Sequence, residues 1–365
     1  MNTEKLSSRQ IAVLLYIIIM ISGLLLMPGL TAEKAKQSAW IAIALASLPS
    51  FFCLWIVWKL GKRFPNNTLP EYAEIILGKA LGKVVGGAYI LFFLLVNILS
   101  VCEFSEFLTV CFMPQTPAIA LNAILVLIGA YAVLKGIEVI ARAAQFVFPL
   151  FMISLLILFV SVLPAVKLGK LLPFLEGGIK PVIWGSIPSI FVYGEIIVLA
   201  ILLPMVNKPE EIKRKGAFAL LTVAIFLSAG MMFTLMIFGS NLSGDLLFPF
   251  WYLSKYIEFG SYLQRVEGLI LLLWMIGMII KIAIFYYLTC FSTAKTLGLK
   301  SYKPVIYPMA LIYLPAATFL FRNTAEFRQF LELYWPYLGS IFELVLPLIL
   351  LFVAVIRKKQ RRVSR

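Results

Sequence analysis

The sequence predicts an all-α integral membrane protein with ten transmembrane helices. Of its 365 residues, 62% are hydrophobic and only 13% are charged, against roughly half and a quarter in soluble domains. Apolar stretches of about 20 residues, the length that a bilayer requires, recur along the chain. Basic residues give a formal net charge of +15 but concentrate in short connections and the C-terminal tail. They are not interleaved with aromatic residues as in a nucleic-acid-binding groove. We therefore interpret them as determinants of orientation in the membrane.

Ten predicted spans follow from windows of about 20 apolar residues. They lie near residues 11–31, 38–58, 84–112, 117–134, 143–163, 181–205, 216–239, 266–291, 304–321 and 335–356. Several exceed the length of an upright helix, so we expect tilt. The first span follows Lys5 and Arg9 as a signal peptide would, but it lacks a small-x-small cleavage site. We therefore expect it to remain in the protein.

The distribution of Lys and Arg predicts that both termini are cytoplasmic, because basic residues accumulate on that side. With this orientation, the inner connections and termini hold 22 of the 32 basic residues, the outer connections hold nine, and Lys281 lies within a span. The tail, residues 357–365, is expected to anchor on the anionic inner leaflet. The chain then forms one transmembrane domain, residues 1–365, with repeats at about 8–163 and 180–356.

Two short helices are expected at the membrane surfaces. Residues 69–81 lie between Pro65 and Gly82 and are amphipathic, which predicts a cytoplasmic surface helix. Aromatic residues cluster around 248–259, which predicts an interfacial helix on the outer side.

The cysteine and histidine content argues against covalent and metal chemistry. The chain has no histidine, the residue most often used as a general base or zinc ligand. Its four cysteines, Cys53, Cys102, Cys111 and Cys290, lie in apolar spans without metal-like spacing or a secreted disulfide pattern. We expect free thiols, no metal site and no cofactor. No carboxylate pair or nucleophile motif indicates an enzyme.

Interruptions at matching places in spans 1 and 6 predict a binding site near the bilayer midplane. Span 1 reads ISGLLLMPG, with Ser22 and Gly23 near its middle, and span 6 reads GSIPSIFVYGE, with Gly185, Pro188 and Gly194. Exposed backbone groups are tolerated in a membrane only where they line a polar cavity. Paired interrupted helices therefore predict a site whose amides receive a carboxylate and whose carbonyls receive an ammonium group or cation. The alternative is that these residues only aid helix packing.

Two ionisable residues are predicted deep within the membrane. Glu195 follows the interruption in span 6, and Lys281 lies at a comparable depth in span 8. Such groups usually face a cavity, pair with each other or mark an ion path. We expect Glu195 to support the interruption and Lys281 to supply a positive charge near span 1; a purely structural ion pair is the alternative. Glu103 and Glu106 in span 3 are candidates for an outer vestibule, although interfacial solvation explains Glu106 equally well.

Helical spacing adds further candidates for ligand contact. Asn97 and Val101 share one face of span 3, while Phe285, Tyr286 and Thr289 continue one side of span 8. Residues at such spacing more often pack than bind a ligand, so these assignments rest on geometry alone.

Four segments, spread over nearly the whole chain, carry a family resemblance. They are the opening KLSSRQIAVLLYIIIMISGLLLMPGLTAEKAKQSAW, GIEVIARAAQFVFPL around Arg142, YGE at residues 193–195, and YLQRVEGL around Arg265. Together they resemble the spore germination receptor B-subunit family, the permease-like component of endospore nutrient receptors. That family is similar to permeases of the amino acid-polyamine-organocation superfamily, which implies a five-plus-five inverted repeat with broken helices 1 and 6.

The resemblance also implies a function. It implies residence in the spore inner membrane, a complex with an A subunit and a lipoprotein C subunit, and binding of an amino acid or comparable germinant that signals solute release from the spore core. A structural or gating role is expected for Arg142. Carried over by position, the implied ligand contacts are Ser22, Gly23, Leu24, Tyr193, Gly194 and Glu195.

One departure from the permease relatives concerns sodium. Sodium-coupled members place hydroxyl and carbonyl oxygens from spans 1 and 8 around the ion, whereas span 8 here offers Lys281. An ammonium group at that position would substitute for sodium, as a resident lysine is thought to do in some sodium-independent relatives. We therefore expect activity without sodium.

Two functions fit the predicted cavity. One is a receptor subunit that binds a germinant and passes a conformational change to its partners; the other is a cation-coupled amino acid transporter. A membrane-embedded enzyme is disfavoured by the residue content above. A water-filled channel would require a continuous polar stripe, which no single predicted helix carries, although a conduit between subunits stays open.

Overall fold

The computed structural model describes residues 4–173, 175–255 and 266–359, and these residues form an all-helical architecture. The first half contains α1 (Ser8–Leu24), α2 (Met27–Ala35), α3 (Ala39–Ala46), α4 (Leu48–Arg63), α5 (Leu69–Leu77), α6 (Lys79–Cys111), α7 (Ala118–Lys135) and α8 (Ile137–Val162). The second half contains α9 (Ile179–Tyr193), α10 (Leu199–Leu202), α11 (Ile212–Phe238), α12 (Ser240–Asp245), α13 (Pro249–Ser254), α14 (Val266–Leu297), α15 (Lys303–Phe319), α16 (Thr324–Leu333), α17 (Trp335–Gly339) and α18 (Leu346–Ile356).

Tighter and wider helical turns connect some of these helices. Turns of 3₁₀ geometry occupy Lys36–Ser38, Leu163–Ala165, Leu168–Leu171, Gly194–Val198, Leu203–Met205 and Pro209–Glu211, and a π-helical turn occupies Ser340–Val345. Every one of the ten predicted spans coincides with helix in the described part of the chain.

The described residues contain eight helical stretches that are long and apolar enough to cross a membrane. The stretch from Met27 to Arg63 counts as one of them, and the bent pair of α15 and α16 makes a ninth if it is one span. Helix α1 is apolar but shorter, with 17 residues. The chain is therefore a multi-pass membrane protein, and the exact number of ten spans stays a prediction.

Span 1 is divided into α1 and α2. Helix α1 ends at Leu24, and Leu25 then adopts a non-helical conformation with φ of −86° and ψ of −90°. Helix α2 carries Pro28 in its first turn, where the missing N–H removes no helical hydrogen bond. Gly23 remains helical, and a Cβ at this position would meet the side chain of Leu227 at 2.4 Å. The predicted break is confirmed, and it lies directly after the predicted contact residues.

Span 6 changes its helical geometry at one of the predicted positions. Helix α9 runs regularly through Gly185 and Pro188, and 3₁₀ geometry begins at Gly194. A 3₁₀ stretch within a longer helix often marks a hinge. A Cβ at Gly194 would meet a carboxyl oxygen of Glu343 at 1.7 Å, so only glycine permits this contact. Gly185 has a packing role, since its Cβ would meet that of Ala35 at 2.8 Å.

The two predicted surface helices are present but shorter. Helix α5 ends at Leu77 and not near residue 81, because Gly78 has a φ of 93° that stops the helix. Of the predicted segment 248–259, the structure shows α13, and residues 256–259 lie outside the described residues. Residues 262–265 of the motif around Arg265 and tail residues 360–365 also lie outside them, whereas motif residues 266–269 begin α14.

The N-terminal segment closes the side predicted to be cytoplasmic. The amide of Leu6 donates to the carbonyl of Met205 at 2.8 Å, and the carbonyl of Leu6 accepts from Asn207 at 3.0 Å. Helix α1, which follows directly, packs against α8, α11 and α14 and is buried almost throughout. The start of the chain is thus tied to the end of span 6.

Helix α16 closes the opposite side. It is bent by 104° from α15 and is joined to α2 by two ion pairs. Arg328 lies 2.6 Å from Glu33, and Lys34 lies 2.7 Å from Glu332. Both pairs are partly exposed, so each contributes at most about 1 kcal/mol. They connect α16 to α2, the second half of the divided first span.

We predict that charge reversal in the ion pairs between α2 and α16 loosens the attachment of α16. Glu33→Arg faces Arg328 with a like charge, so hydrogen exchange of the α16 amides, measured by mass spectrometry, is expected to accelerate about fivefold, equivalent to about 1 kcal/mol. Adding Arg328→Glu restores the attraction and the slow exchange. Glu138→Arg, at a pair outside α16, serves as the control. Unchanged α16 exchange in Glu33→Arg would contradict a closing role.

Candidate functional site

The ion pair between Lys281 and Glu195 forms the centre of the candidate site. The Nζ of Lys281 on α14 lies 2.6 Å from Oε1 of Glu195, and the two residues are 1% and 4% exposed. Lys281 also donates to the hydroxyl of Ser22 in the last turn of α1, and its Nζ lies 5.5 Å from the ring centroid of Phe285. The pair therefore joins the broken span 1, the 3₁₀ stretch of span 6 and α14.

A second carboxyl group, on Glu103 of α6, faces the break in span 1. Glu103 is 7% exposed. Its carboxyl group lies near the backbone of Leu26, the hydroxyl of Ser22 and the charges of Lys281 and Glu195, and its Oε1 has no hydrogen-bond partner among the described residues. The Leu26 amide is one of the groups left free where α2 begins. A carboxyl group of the protein itself thus faces the half-helix N-terminus.

A third carboxyl group, on Glu343, faces the interruption in span 6. Glu343 is 3% exposed and lies on the π-helical turn of the last span. Its side chain packs against Gly194. Among the described residues, neither of its carboxyl oxygens has a hydrogen-bond partner. A buried carboxyl group without a partner is far less costly as a neutral acid than as an anion.

The π-helical turn is held by donors from two other helices. The thiol of Cys53 donates to the carbonyl of Glu343 at 2.9 Å, and the hydroxyl of Tyr89 donates to the carbonyl of Phe342 at 2.7 Å. A π-helical turn leaves carbonyls without their usual helical partners and is frequent at functional sites. Sequence reasoning missed Glu343, although a lone acidic residue within an apolar span was a usable signal.

A small closed cavity lies between α1, α6, α14 and the end of α9. Its volume is about 30 Å³, which holds about one water molecule. The ionisable residues Glu103, Glu195 and Lys281 line it. Phe327 and Leu331 of α16, with Trp335 of α17, form its wall on the side predicted to be outer. This volume is too small for an amino acid, so one of the walls has to move before a ligand of that size fits.

Three of the residues predicted for the site, Ser22, Glu195 and Lys281, line this cavity. Gly23 and Leu24 follow Ser22 at the end of α1. Tyr193 and Gly194 directly precede Glu195, and the buried hydroxyl of Tyr193 has no hydrogen-bond partner among the described residues.

The remaining predicted residues lie away from the cavity. Thr289 accepts a hydrogen bond from the Tyr313 hydroxyl at 2.8 Å, and Asn97 interacts with the same hydroxyl. Val101 is fully buried in α6 and does not line the cavity. Arg142 lies on the surface, 3.2 Å from Glu138 in the preceding turn of α8. The structure brings none of these four to the Lys281 cluster.

We predict that neutral substitutions separate the roles of the buried carboxyl groups. Glu343→Gln replaces a carboxyl that has no partner, so the thermal unfolding midpoint is expected to stay within about 2 °C of the wild type. Glu195→Gln leaves Lys281 buried without its counter-charge, which typically costs about 3–5 kcal/mol, and lowers the midpoint. Glu195→Gln combined with Lys281→Met recovers part of the loss. Equal destabilisation by Glu343→Gln and Glu195→Gln would show that Glu343 is also paired.

Comparison with known sequences identifies relatives over the whole chain. A family model described as spore germination protein matches residues 5–326. Spore germination protein KB of Bacillus subtilis (strain 168) is 28% identical over 372 residues, covering 100% of this chain and 98% of the relative. The putative spore germination protein YfkT of the same organism is 26% identical over 332 residues, covering 91% of each.

Solved transporter structures share the fold at low sequence identity. MhsT in complex with L-phenylalanine has a TM-score of 0.67 at 13% identity, covering 96% of this chain and 99% of that chain. Mhp1, a nucleobase-cation-symport-1 family transporter in a closed conformation, has a TM-score of 0.66 at 13% identity, covering 99% and 80%. A Na⁺-coupled sialic acid symporter has a TM-score of 0.62, also at 13% identity, covering 94% and 80%.

These likenesses show the fold alone, and the ligands and ions of the solved transporters belong to those proteins. They confirm the transporter-type helical fold that the four sequence segments implied. The match over residues 5–326 extends well beyond the broken first span and includes Glu195 and Lys281. This chain belongs to the spore germination protein family of membrane permeases.

Proposed function

We propose that this protein is the permease-like B subunit of a spore nutrient receptor and that it binds a zwitterionic amino acid beside Lys281. The supporting observation is the buried cluster of Glu103, Glu195 and Lys281, which offers both signs of charge at the break in span 1. A zwitterion requires partners of both signs. Apolar walls around the cluster leave room for a small side chain once the cavity opens.

The charge balance supports a zwitterion over a simple amine or acid. Adding a net charge to a buried site is costly unless a counter-charge accompanies it. A zwitterion adds none. In our proposal, the ligand carboxylate replaces the Glu103 carboxyl at the Leu26 amide, where the N-terminus of α2 favours an anion. The displaced Glu103 carboxyl then receives the ligand ammonium group.

The closed cavity supports a binding mechanism in which the ligand selects a different conformation. The N-terminal segment closes one side, and α16 closes the other. A ligand that binds only after α16 has moved shifts the population towards that state. In the proposed receptor, the A subunit and the lipoprotein C subunit detect this shift at the spore inner membrane, with both termini on the core side. The two inverted repeats at about 8–163 and 180–356 belong to the same proposal.

The position of Lys281 supports sodium-independent function. Its ammonium group donates to the hydroxyl of Ser22 on α1, so a cation of the protein already binds an oxygen that a sodium ion would use. The alternative function is a cation-coupled amino acid transporter, which the transporter-type fold favours.

We predict that neutral amino acids raise the thermal unfolding midpoint of the purified protein, whereas matched amines and carboxylic acids do not. Glu103→Gln removes the proposed partner of the ligand ammonium group. We expect this variant to need at least ten times more ligand for the same shift in the unfolding midpoint, which corresponds to about 1.4 kcal/mol of binding free energy. Glu74→Gln is the matched control, since Glu74 lies on α5 and does not line the cavity. Equal stabilisation of Glu103→Gln and wild type would contradict the proposed ammonium partner.

We also predict that the ligand-induced shift is the same in potassium and sodium buffers. A strict sodium requirement would overturn the role assigned to Lys281.

Uptake of radiolabelled amino acid into reconstituted vesicles separates the two functions. Absence of saturable accumulation, together with retained ligand stabilisation, supports the receptor, whereas accumulation supports the transporter.

A further inference from the structure

A large cavity between described residues opens away from the Lys281 site. It has a volume of about 590 Å³ and lies between α1, α8 and α11, near the ends predicted to be cytoplasmic. Its walls are mainly apolar: Val13 and Ala219 are buried, whereas Phe148 is partly exposed and Phe218 is 70% exposed. The cavity therefore opens laterally, where a membrane protein faces lipid.

Three basic residues line one end of this cavity. Arg9 stands in the first turn of α1, and Arg214 and Lys215 stand in the first turn of α11. Lys215 is engaged, because its Nζ lies 2.6 Å from Glu211 and 2.7 Å from the Ser8 hydroxyl. Within the described parts of the chain, neither guanidinium group has an ion pair or hydrogen bond. Two cationic groups thus stand unpaired at the mouth.

A buried polar group lies deeper in the same cavity. Tyr16 is 2% exposed and lines the wall, with its ring against Phe148 at a centroid distance of 4.9 Å. Its hydroxyl has no hydrogen-bond partner among the described residues. Tyr16 follows Arg9 by seven residues, which corresponds to about 10 Å along the helix. An unsatisfied buried hydroxyl indicates that a further group supplies an acceptor.

We propose that this cavity is a binding site for an anionic phospholipid. The phosphate lies between Arg9 and Arg214, the Tyr16 hydroxyl donates to an ester carbonyl of the lipid, and one acyl chain lies along Phe148, Phe218 and Ala219. Basic pockets between membrane helices on the cytoplasmic side suit lipid headgroups of this kind. This inference does not rest on the proposed germinant site.

The shape of the cavity favours a lipid over a soluble anion. A free phosphate would use only the basic end and leave the apolar walls and Tyr16 without a partner. A phospholipid has a part that suits each region of the cavity: a phosphate for the basic end, an ester carbonyl for the Tyr16 hydroxyl and an acyl chain for the apolar walls. The acidic residue that contacts this basic end, Glu211, already accepts from Lys215 and Ser8 and lies 3.8 Å from Lys208. It therefore leaves the two arginines available.

Lipid at this position would contact the inner half of the broken span. Helix α1 carries both Arg9 and Tyr16, and it ends at Leu24, where span 1 breaks. A lipid held between α1, α8 and α11 bridges α1 to the two helices beside it. Bound lipid is therefore expected to stabilise the closed arrangement described above.

The test uses the purified full-length protein and native mass spectrometry, with phosphatidylglycerol, phosphatidylcholine and soluble glycerol phosphate as probes. Phosphatidylglycerol is expected to be retained and to raise the thermal unfolding midpoint. Arg9→Gln combined with Arg214→Gln is expected to weaken retention about 25-fold, roughly fivefold for each arginine. Tyr16→Phe is expected to weaken it a few-fold, the value of one hydrogen bond.

Two further variants make the outcome specific. Lys79→Gln combined with Lys83→Gln removes the same charge from exposed positions outside the cavity and is expected to retain the lipid normally. Ala219→Trp fills the cavity without changing its charge and is expected to abolish retention. Equal retention of phosphatidylcholine, competition by glycerol phosphate at similar concentrations, or an equal loss in the control variant would overturn the proposal.

Discussion

The cost of burying charge in a membrane protein is the constraint on which the site depends. Lys281 and Glu195 are almost completely buried, so each is stable as an ion only beside the other. Satisfying this pair draws together Ser22 at the end of α1, the 3₁₀ stretch of span 6 and α14. The break in span 1 and the ion pair therefore form one structural unit, and a ligand that enters must preserve its charge balance.

The cavity beside the ion pair is covered by the N-terminal segment on one side and by α16 on the other. The cavity of about 30 Å³ holds little more than one water molecule, while α16 is joined to α2 by two partly exposed ion pairs. Such an element opens at low free-energy cost. In the proposed receptor, the buried ion pair stays in place while the less firmly held α16 moves when the ligand binds.

Several parts of this arrangement were predictable because they follow from local chemistry. Runs of apolar residues predicted segments that are helical in the described structure, and Pro28 and Gly194 marked the places where helical geometry changes. Glu195 and Lys281 indicated a buried polar site. Other assignments were not predictable. Asn97 and Val101 share a helix face with each other but not with the cavity, because the rotation of α6 depends on packing against α14 and α5. Arg142 lies on the surface for the same kind of reason.

The sequence by itself determined the membrane environment, the transporter-type division of span 1 and the chemical types present at the site, since these depend on hydropathy, backbone restrictions and charge. Only the tertiary structure decided which groups meet. It set the carboxyl of Glu103 against the Leu26 amide, placed Glu343 on a π-helical turn beside Gly194, and left Tyr16 facing a cavity between three helices. These contacts join residues far apart in the chain, and helix offset and rotation, which no local pattern encodes, bring them together.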